Sequence, residues 1–220
     1  MASVVVTGAS RGIGRDLCKR FAAEGWSVVA AMREPLRPIP DCRSLVLDVT
    51  DPESVQAAAA AFGDGPLDVL VNNAAIFPGE GKEGFADLPP EWFDEAFSCN
   101  VTGVVRVTQA FLPCLRKSSS PRIVNISSGA GSITEKEDAA YYPYGVSKAA
   151  LNMLTRTLAN ELTAMIVVAL SPGWVRTEMG GPHAPLSTDE SAASLVRTIG
   201  LLKTSQSGCF LGRDGEPYAW

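Results

Sequence analysis

A chain of 220 residues with 46% hydrophobic and 20% charged residues has the composition of one folded domain: long enough to bury a full core, too apolar to stay disordered. A net charge of −5 without any Lys/Arg-rich run argues against nucleic acid or an anionic membrane as a partner. The longest wholly apolar run, 165–170, is six residues, and no charged segment precedes a long apolar stretch at the N-terminus, so neither a membrane span nor an export signal is expected. Five cysteines, odd in number and scattered without a CxxC pair, read as reduced thiols of a cytoplasmic protein; with a single histidine, no metal site is expected.

Short β-branched runs alternate with longer stretches of helical periodicity, the pattern of repeated βα units over a parallel sheet. Strands are predicted at 3–6, 27–31, 44–47, 69–71, 122–126, 166–170 and 209–211. The first helix should run over 12–23 and stop at Gly25. The second should start at Asp51-Pro52-Glu53, an N-cap followed by proline at the first helical position. Long helices are expected over 92–115 and 144–162, and Gly/Pro-rich loops at 34–40, 78–90 and 180–185. The fold this implies is a single α/β domain over residues 1–220: a doubly wound, Rossmann-like, mostly parallel sheet of about seven strands with helices on both faces.

Thr7-Gly8-Ala9-Ser10-Arg11-Gly12-Ile13-Gly14 follows the first strand and opens the first helix. Glycines there allow a tight turn and close backbone approach to a pyrophosphate, whose charge suits the unsatisfied N–H groups of a helix N-terminus. The spacing is GxxxGxG, without the Gly-Lys-Ser/Thr of a P-loop, so a dinucleotide is favoured over a hydrolysed triphosphate. The second strand ends in Met32-Arg33-Glu34. An acid at its tip would hold a ribose 2′-hydroxyl, whereas Arg33, helped by Arg11, would favour a 2′-phosphate; two cations point to NADP, with Glu34 the residue that would favour NAD.

Four polar residues stand where chemistry is plausible. Tyr144 and Lys148, four apart at the head of a helix, share one face, and an ammonium beside a phenol stabilises the phenolate. Ser128 and Ser127 both lie at the end of the 122–126 strand, on the edge that carries the glycine loop. Asn100 sits inside an apolar helical stretch where asparagine is unfavourable without a hydrogen-bonding reason.

With Asp48-Val49, Asn72-Asn73-Ala74 and Pro172-Gly173 added, these motifs stand in the order and approximate spacing of the short-chain dehydrogenase/reductase family, and the resemblance covers nearly the whole chain. Residues 171–181 and the ending Asp-Gly-Glu-Pro-Tyr-Ala-Trp look like the C-factor and sniffer-type carbonyl reductases within it. The resemblance implies a catalytic tetrad of Asn100, Ser128, Tyr144 and Lys148, with Ser128 preferred over Ser127 because the family's serine has a glycine three residues on, here Gly131. It implies that Asp48 and Val49 flank the adenine, that Asn72 and Ala74 line the adenosine side, and that Val175 and Thr177 hold the nicotinamide amide. In such a site Tyr144 would donate a proton to a substrate carbonyl polarised by Ser128, Lys148 would lower the tyrosine pKa and anchor the nicotinamide ribose, and Asn100 would hold a relay water.

The expected activity is therefore NADPH-dependent reduction of a small-molecule aldehyde, ketone or quinone, with an NAD(P)-binding signalling protein of C-factor type as the alternative. Phe77, Tyr142, Trp174 and Met179 are candidates for an apolar substrate wall, and His183 for its rim. Three departures from the family pattern are visible: Asn-Asn-Ala-Ala at 72–75, a charged insertion at 135–138, and a short 161–172 connection that predicts an abrupt turn at 163–165. Broad apolar faces on the two long helices (Val101, Val104, Val105, Val107, Phe111, Leu112; Leu151, Met153, Leu154, Leu158) predict a homodimer, with a monomer as the rival should 135–138 cover that face.

Overall fold

The computed structural model describes residues 1–34, 37–79 and 84–220, so parts of the predicted 34–40 and 78–90 loops lie outside the described residues. Seven strands, β1 (Ser3–Thr7), β2 (Ser27–Met32), β3 (Cys42–Val46), β4 (Val69–Asn72), β5 (Arg122–Ile126), β6 (Ile166–Ser171) and β7 (Phe210–Gly212), form one sheet in the order β3-β2-β1-β4-β5-β6-β7. Every pairing between neighbouring strands is parallel, so "mostly parallel" understates the sheet. β3 starts two residues before the predicted position. It is an edge strand, and Arg43, Ser44 and Val46 stay exposed along it, which weakens the apolar signal that marks the inner strands.

The helices are α1 (Gly12–Ala23), α2 (Pro52–Phe62), α3 (Glu91–Phe97), α4 (Gly103–Leu115), α5 (Tyr142–Glu161) and α6 (Thr188–Leu201). α1 and α6 cover one sheet face, packing Leu17, Phe21, Leu195 and Ile199 against Val4, Val6, Val28 and Val168. α2, α4 and α5 cover the other, where Val55, Phe111 and Ala159 meet Val5, Val29 and Val167. Both faces are dry, which is why the inner strands read as continuous apolar runs. α2 starts as expected, the Asp51 carboxylate accepting from the Glu53 N–H at 3.0 Å with proline in the first turn. The 163–165 turn is as abrupt as expected: the Met165 N–H donates to Leu162 O at 2.8 Å and β6 begins at the next residue.

The single helix predicted over 92–115 is instead broken. Between α3 and α4 lies a π-helical segment, Ser98–Thr102, whose wider turn inserts the extra residue that carries Asn100 into the interior. The excess of apolar residues on α4 and α5 also has an internal explanation: Val104, Val107, Phe111 and Leu151 are core, while Met153 is exposed at 68%.

The strand order reverses direction between β1 and β4, and ligands of open α/β sheets bind beyond the carboxyl ends of the strands at such a switch point. The glycine loop, the Asn72–Ala74 segment, Ser128 and the Pro172–Thr177 segment all leave the sheet on that edge.

Candidate active site

The glycine loop is built to be approached. Gly8 sits at φ +66°, and a methyl there would lie 2.8 Å from the Ala74 Cα, so both the backbone conformation and the neighbouring chain demand glycine. Asn73 clamps the loop from β4, its side-chain N–H₂ donating to Thr7 O at 2.9 Å and Gly8 O at 3.3 Å. The Thr7 hydroxyl in turn accepts from the N–H groups of Asn73 and Ala74 at 3.0 and 3.1 Å. Thr7 therefore serves the site through the scaffold, and so does Asn72, whose side chain faces the core and donates to Asn125 Oδ1 at 2.9 Å and Thr108 Oγ1 at 3.2 Å.

α1 behind this loop differs from α2 and α6. Asp51 and a Ser187–Glu190 capping box satisfy the first turns of those two, whereas Arg11 at the N-cap of α1 makes no side-chain cap and no acid occupies the first turn. Its N-terminal N–H groups are left for an anion, so the residues fit a pyrophosphate at Gly8–Gly14, with Ser10 exposed on the loop and Ile13 half-buried beneath it. Across the mouth, a methyl on Gly12 would lie 3.5 Å from Thr177 Cγ2, and Arg11 forms an ion pair with Glu178. The segment after β6 thus closes over the loop. It is shaped by a turn at Pro172-Gly173, with Pro172 O accepting from Ser191 Oγ at 2.8 Å, by buried Val175, and by Thr177, whose hydroxyl accepts from the Gly180 N–H at 2.9 Å.

At the tip of β2, Arg33 is exposed. Burial pushes the Asp48 carboxyl up, but hydrogen bonds from Thr50 and the nearby Arg33 charge outweigh it and hold the group below the usual carboxylate range. Val49 is buried against Gly103, where an added methyl would lie 3.0 Å from Val49 Cγ2.

The chemistry converges at the start of α5. Tyr144 and Lys148 lie one turn apart, the Lys148 Nζ 5.5 Å from the Tyr144 ring centre. Ser128 stands close enough to the Tyr144 phenol to favour its ionised form. Burial pushes the phenol above its usual value and Ser128 pulls it back down. Ser127 is excluded as the partner: it is 1% exposed and its hydroxyl donates to Asn152 Oδ1 at 2.6 Å. Ser128 also accepts from the Ala130 N–H at 3.1 Å, capping a 3₁₀ turn whose last residue, Gly131, is glycine because a Cβ would strike the Lys148 backbone at 2.7 Å.

Lys148 is 2% exposed, and among the described residues its ammonium has one hydrogen-bond partner, Ile126 O at 2.8 Å. Two N–H groups remain for a ligand, and a ribose diol suits them. Asn100 does not reach this ligand space with its amide. The Asn100 Oδ1 accepts from the Ile76 N–H at 2.9 Å, while the Nδ2 donates to Ile76 O and Ser147 Oγ, each at 3.0 Å. Ser147 passes the link on by donating to the Tyr144 carbonyl at 2.7 Å.

Phe77 stands edge-on to the Tyr144 ring at 5.0 Å, with Tyr141 a further 5.8 Å from Phe77. Tyr142 pairs with Phe85 at 5.9 Å instead, and Trp174 and Met179 are exposed on the segment after β6, as is His183. The 135–138 insertion is an exposed turn, its Lys136 ammonium 5.4 Å over the Tyr141 ring. Sequence reasoning passed over Asn73, Ser147, Asn152 and Tyr141. The first has a signal in the Asn-Asn pair; Tyr141 has none, since its φ of +59° is rare for tyrosine and is imposed by the surrounding fold.

Residues 2–185 match the short chain dehydrogenase family. The C-signal protein of Myxococcus xanthus is 36% identical over 171 residues, 76% of this chain and 100% of that protein. The NADPH-bound carbonyl reductase from chicken fatty liver is 34% identical with a TM-score of 0.92, covering 100% of this chain and 99% of the other. Carbonyl reductase Sniffer of D. melanogaster is 29% identical with a TM-score of 0.90 over 100% of both. The chain belongs to the short-chain dehydrogenase/reductase family and is an NAD(P)-dependent oxidoreductase. No helix among the described residues is long and apolar enough to cross a membrane, and no cluster of three or more His, Cys, Asp or Glu could hold a metal ion.

Burial pushes the Lys148 ammonium down to about 8. Unfolded, it titrates near its ordinary value of about 10.4. Between those values the unfolded chain binds the extra proton, so stability rises with pH there, and below 8 the full cost of the buried charge is carried. Lys148→Met should therefore show a Tm advantage over the ligand-free wild type, or its smallest deficit, near pH 7. That difference should move against the variant as pH rises toward 10; a difference that stays flat from pH 7 to 10 contradicts the assignment.

Proposed function

We propose that this protein reduces aldehydes, ketones or quinones to alcohols with NADPH. The observation that carries the reading is the convergence of Tyr144 and Ser128 beside a buried Lys148 that has one hydrogen bond among the described residues, on the same sheet edge as an uncapped helix N-terminus. Bound NADPH supplies a hydride to the carbonyl carbon. The protein's own residues do the rest: Ser128 and Tyr144 donate to the carbonyl oxygen, and Tyr144 gives up its proton. Lys148 stabilises the phenolate left behind and holds the ribose hydroxyls. Asn100 acts as a positioning residue that ties the Ser98–Thr102 π turn to the first turn of α5.

NADP preference rests on Arg33 at the β2 tip, beside Asp48, and on Arg11 in the loop, with Glu34 as the residue that would favour NAD. The likeness to an NADPH-bound carbonyl reductase supports it. The likeness to C-signal favours a second reading, a signalling protein whose turnover is incidental. The complete tetrad argues for turnover. Unpaired cysteines match a cytoplasmic location. A homodimer is supported by Val146 and Met153, exposed at 46% and 68% on the outer face of α5, with Ile133 at 78% beside them.

NADPH and NADH oxidation across a panel of aldehydes, ketones and quinones tests activity and cofactor together. Tyr144→Phe should abolish turnover, by about a thousandfold or more, while leaving the Kd for NADPH within about twofold; wild-type turnover in this variant refutes the mechanism. Arg33→Ala should erase most of the NADPH-over-NADH preference measured by cofactor fluorescence titration, since a charge-assisted contact to the 2′-phosphate is lost. Tighter NADH binding that depends on Glu34 reverses the cofactor assignment. Light scattering should give twice the chain mass at micromolar concentration, and a monomer mass that does not rise with concentration excludes the dimer.

A further inference from the structure

Three consecutive residues at the end of β5 are bonded to three residues on the inner face of α5. The Asn125 Nδ2 donates to Thr155 Oγ1 at 2.9 Å, the Lys148 Nζ donates to Ile126 O at 2.8 Å, and the Ser127 Oγ donates to Asn152 Oδ1 at 2.6 Å. Asn125, Thr155, Ser127, Asn152 and Lys148 are all at most 3% exposed. Asn152 differs from the others in making a second bond to the same turn, its Nδ2 donating to Gly131 O at 3.2 Å. It therefore holds the residue before Ser128 and the carbonyl three residues after it. The Ser128 hydroxyl accepts one bond within its own turn, from the Ala130 N–H, while its carbonyl accepts from the Gly131 N–H at 3.0 Å; the hydroxyl otherwise stands near Tyr144.

A hydroxyl at the tip of a strand is as well placed as the two ends of its turn. Here both ends are referred to one amide on the helix that carries Tyr144 and Lys148. The Asn152 side chain is buried, so solvent does not compensate a lost bond, and the turn packs so closely on α5 at Gly131 that a Cβ there would lie 2.7 Å from the Lys148 backbone. We infer that Asn152 is a positioning residue for carbonyl reduction: by gripping Ser127 and Gly131 it sets the Ser128 hydroxyl against the Tyr144 hydroxyl. It touches neither substrate nor cofactor. This role rests on the tetrad mechanism proposed above.

A double-mutant cycle tests it. Asn152→Ala should lower kcat by about ten- to a hundredfold, the size expected for misplacing a reacting group by an ångström or less, with the Kd for NADPH within about twofold. In a Ser128→Ala background the same change should cost nothing further, because the group it positions is gone. Equal losses in both backgrounds assign Asn152 to general structure and overturn the proposal. Ser127→Ala removes one of the same bonds by deleting a single atom, and it should repeat the pattern if Asn152→Ala fails to fold.

A substrate-free readout separates failure of this role from failure of the reductase reading. With 3-fluorotyrosine incorporated, the fluorine signal absent from Tyr144→Phe reports the Tyr144 titration directly. Asn152→Ala and Ser127→Ala should raise its midpoint toward that of Ser128→Ala, since each loosens the placement of Ser128 that favours the phenolate; an unmoved midpoint overturns the proposal whatever the protein reduces.

Discussion

The arrangement depends on keeping one ammonium in the interior of the protein. Lys148 lies on the inner face of α5 with a single carbonyl to receive it, and withdrawing such a cation from water costs on the order of several kcal/mol. In the proposed mechanism that cost serves the chemistry: a lysine in water would be a weak perturbation on a phenol, whereas a lysine in a low-dielectric site beside Tyr144 acts at close range and keeps N–H groups for a ligand. Lys148 and Tyr144 also have opposite electrostatic needs. Burial alone drives both toward their neutral forms; the Ser128 hydroxyl counters this for Tyr144, and a ligand's hydroxyls would do so for Lys148.

Holding that charge in place requires a rigid seam, and the polar residues at the β5–α5 interface supply it. Asn72, Asn125 and Thr155 run from the centre of the sheet into the helix, and Ser127 and Asn152 continue at its edge. Buried polar groups are tolerated here because almost all are paired; the Asn72 Oδ1 is one of only two buried side-chain atoms among the described residues without a partner. From the other side, Asn100 joins the π turn to the same helix. α5 is thus located by side-chain hydrogen bonds from the end of β5 and from the α3–α4 junction, with Asn72 of β4 bracing Asn125 behind them, not by apolar contact alone.

Much of this was legible in the residues. α1 and β5 have the predicted bounds because their apolar spacing and their flanking glycine and proline act locally, and Asp51-Pro52 announces a helix start through chemistry confined to one turn. Tyr144 and Lys148 could be placed together because residues four apart share a helix face, and Asn100 stood out as an asparagine in an apolar stretch. What escaped is what distant contacts decide. The π turn at Ser98–Thr102 is stabilised by bonds from Asn100 to Ile76 and Ser147, 24 and 47 positions away. That the Ser127 hydroxyl turns into the interior is decided by Asn152, 25 residues downstream. Neither is encoded in local periodicity.

The central claim is that this scaffold brings a reduced nicotinamide and a carbonyl together under Tyr144. The most direct measurement uses NADPH carrying deuterium at both C4 positions of the nicotinamide, incubated with the wild-type protein and a reactive aldehyde, with the product analysed by mass spectrometry. The account predicts one deuterium delivered to each reduced carbonyl carbon of an aldehyde, at a rate that vanishes without enzyme. NADPH that binds tightly but never passes its deuterium to any carbonyl would contradict it.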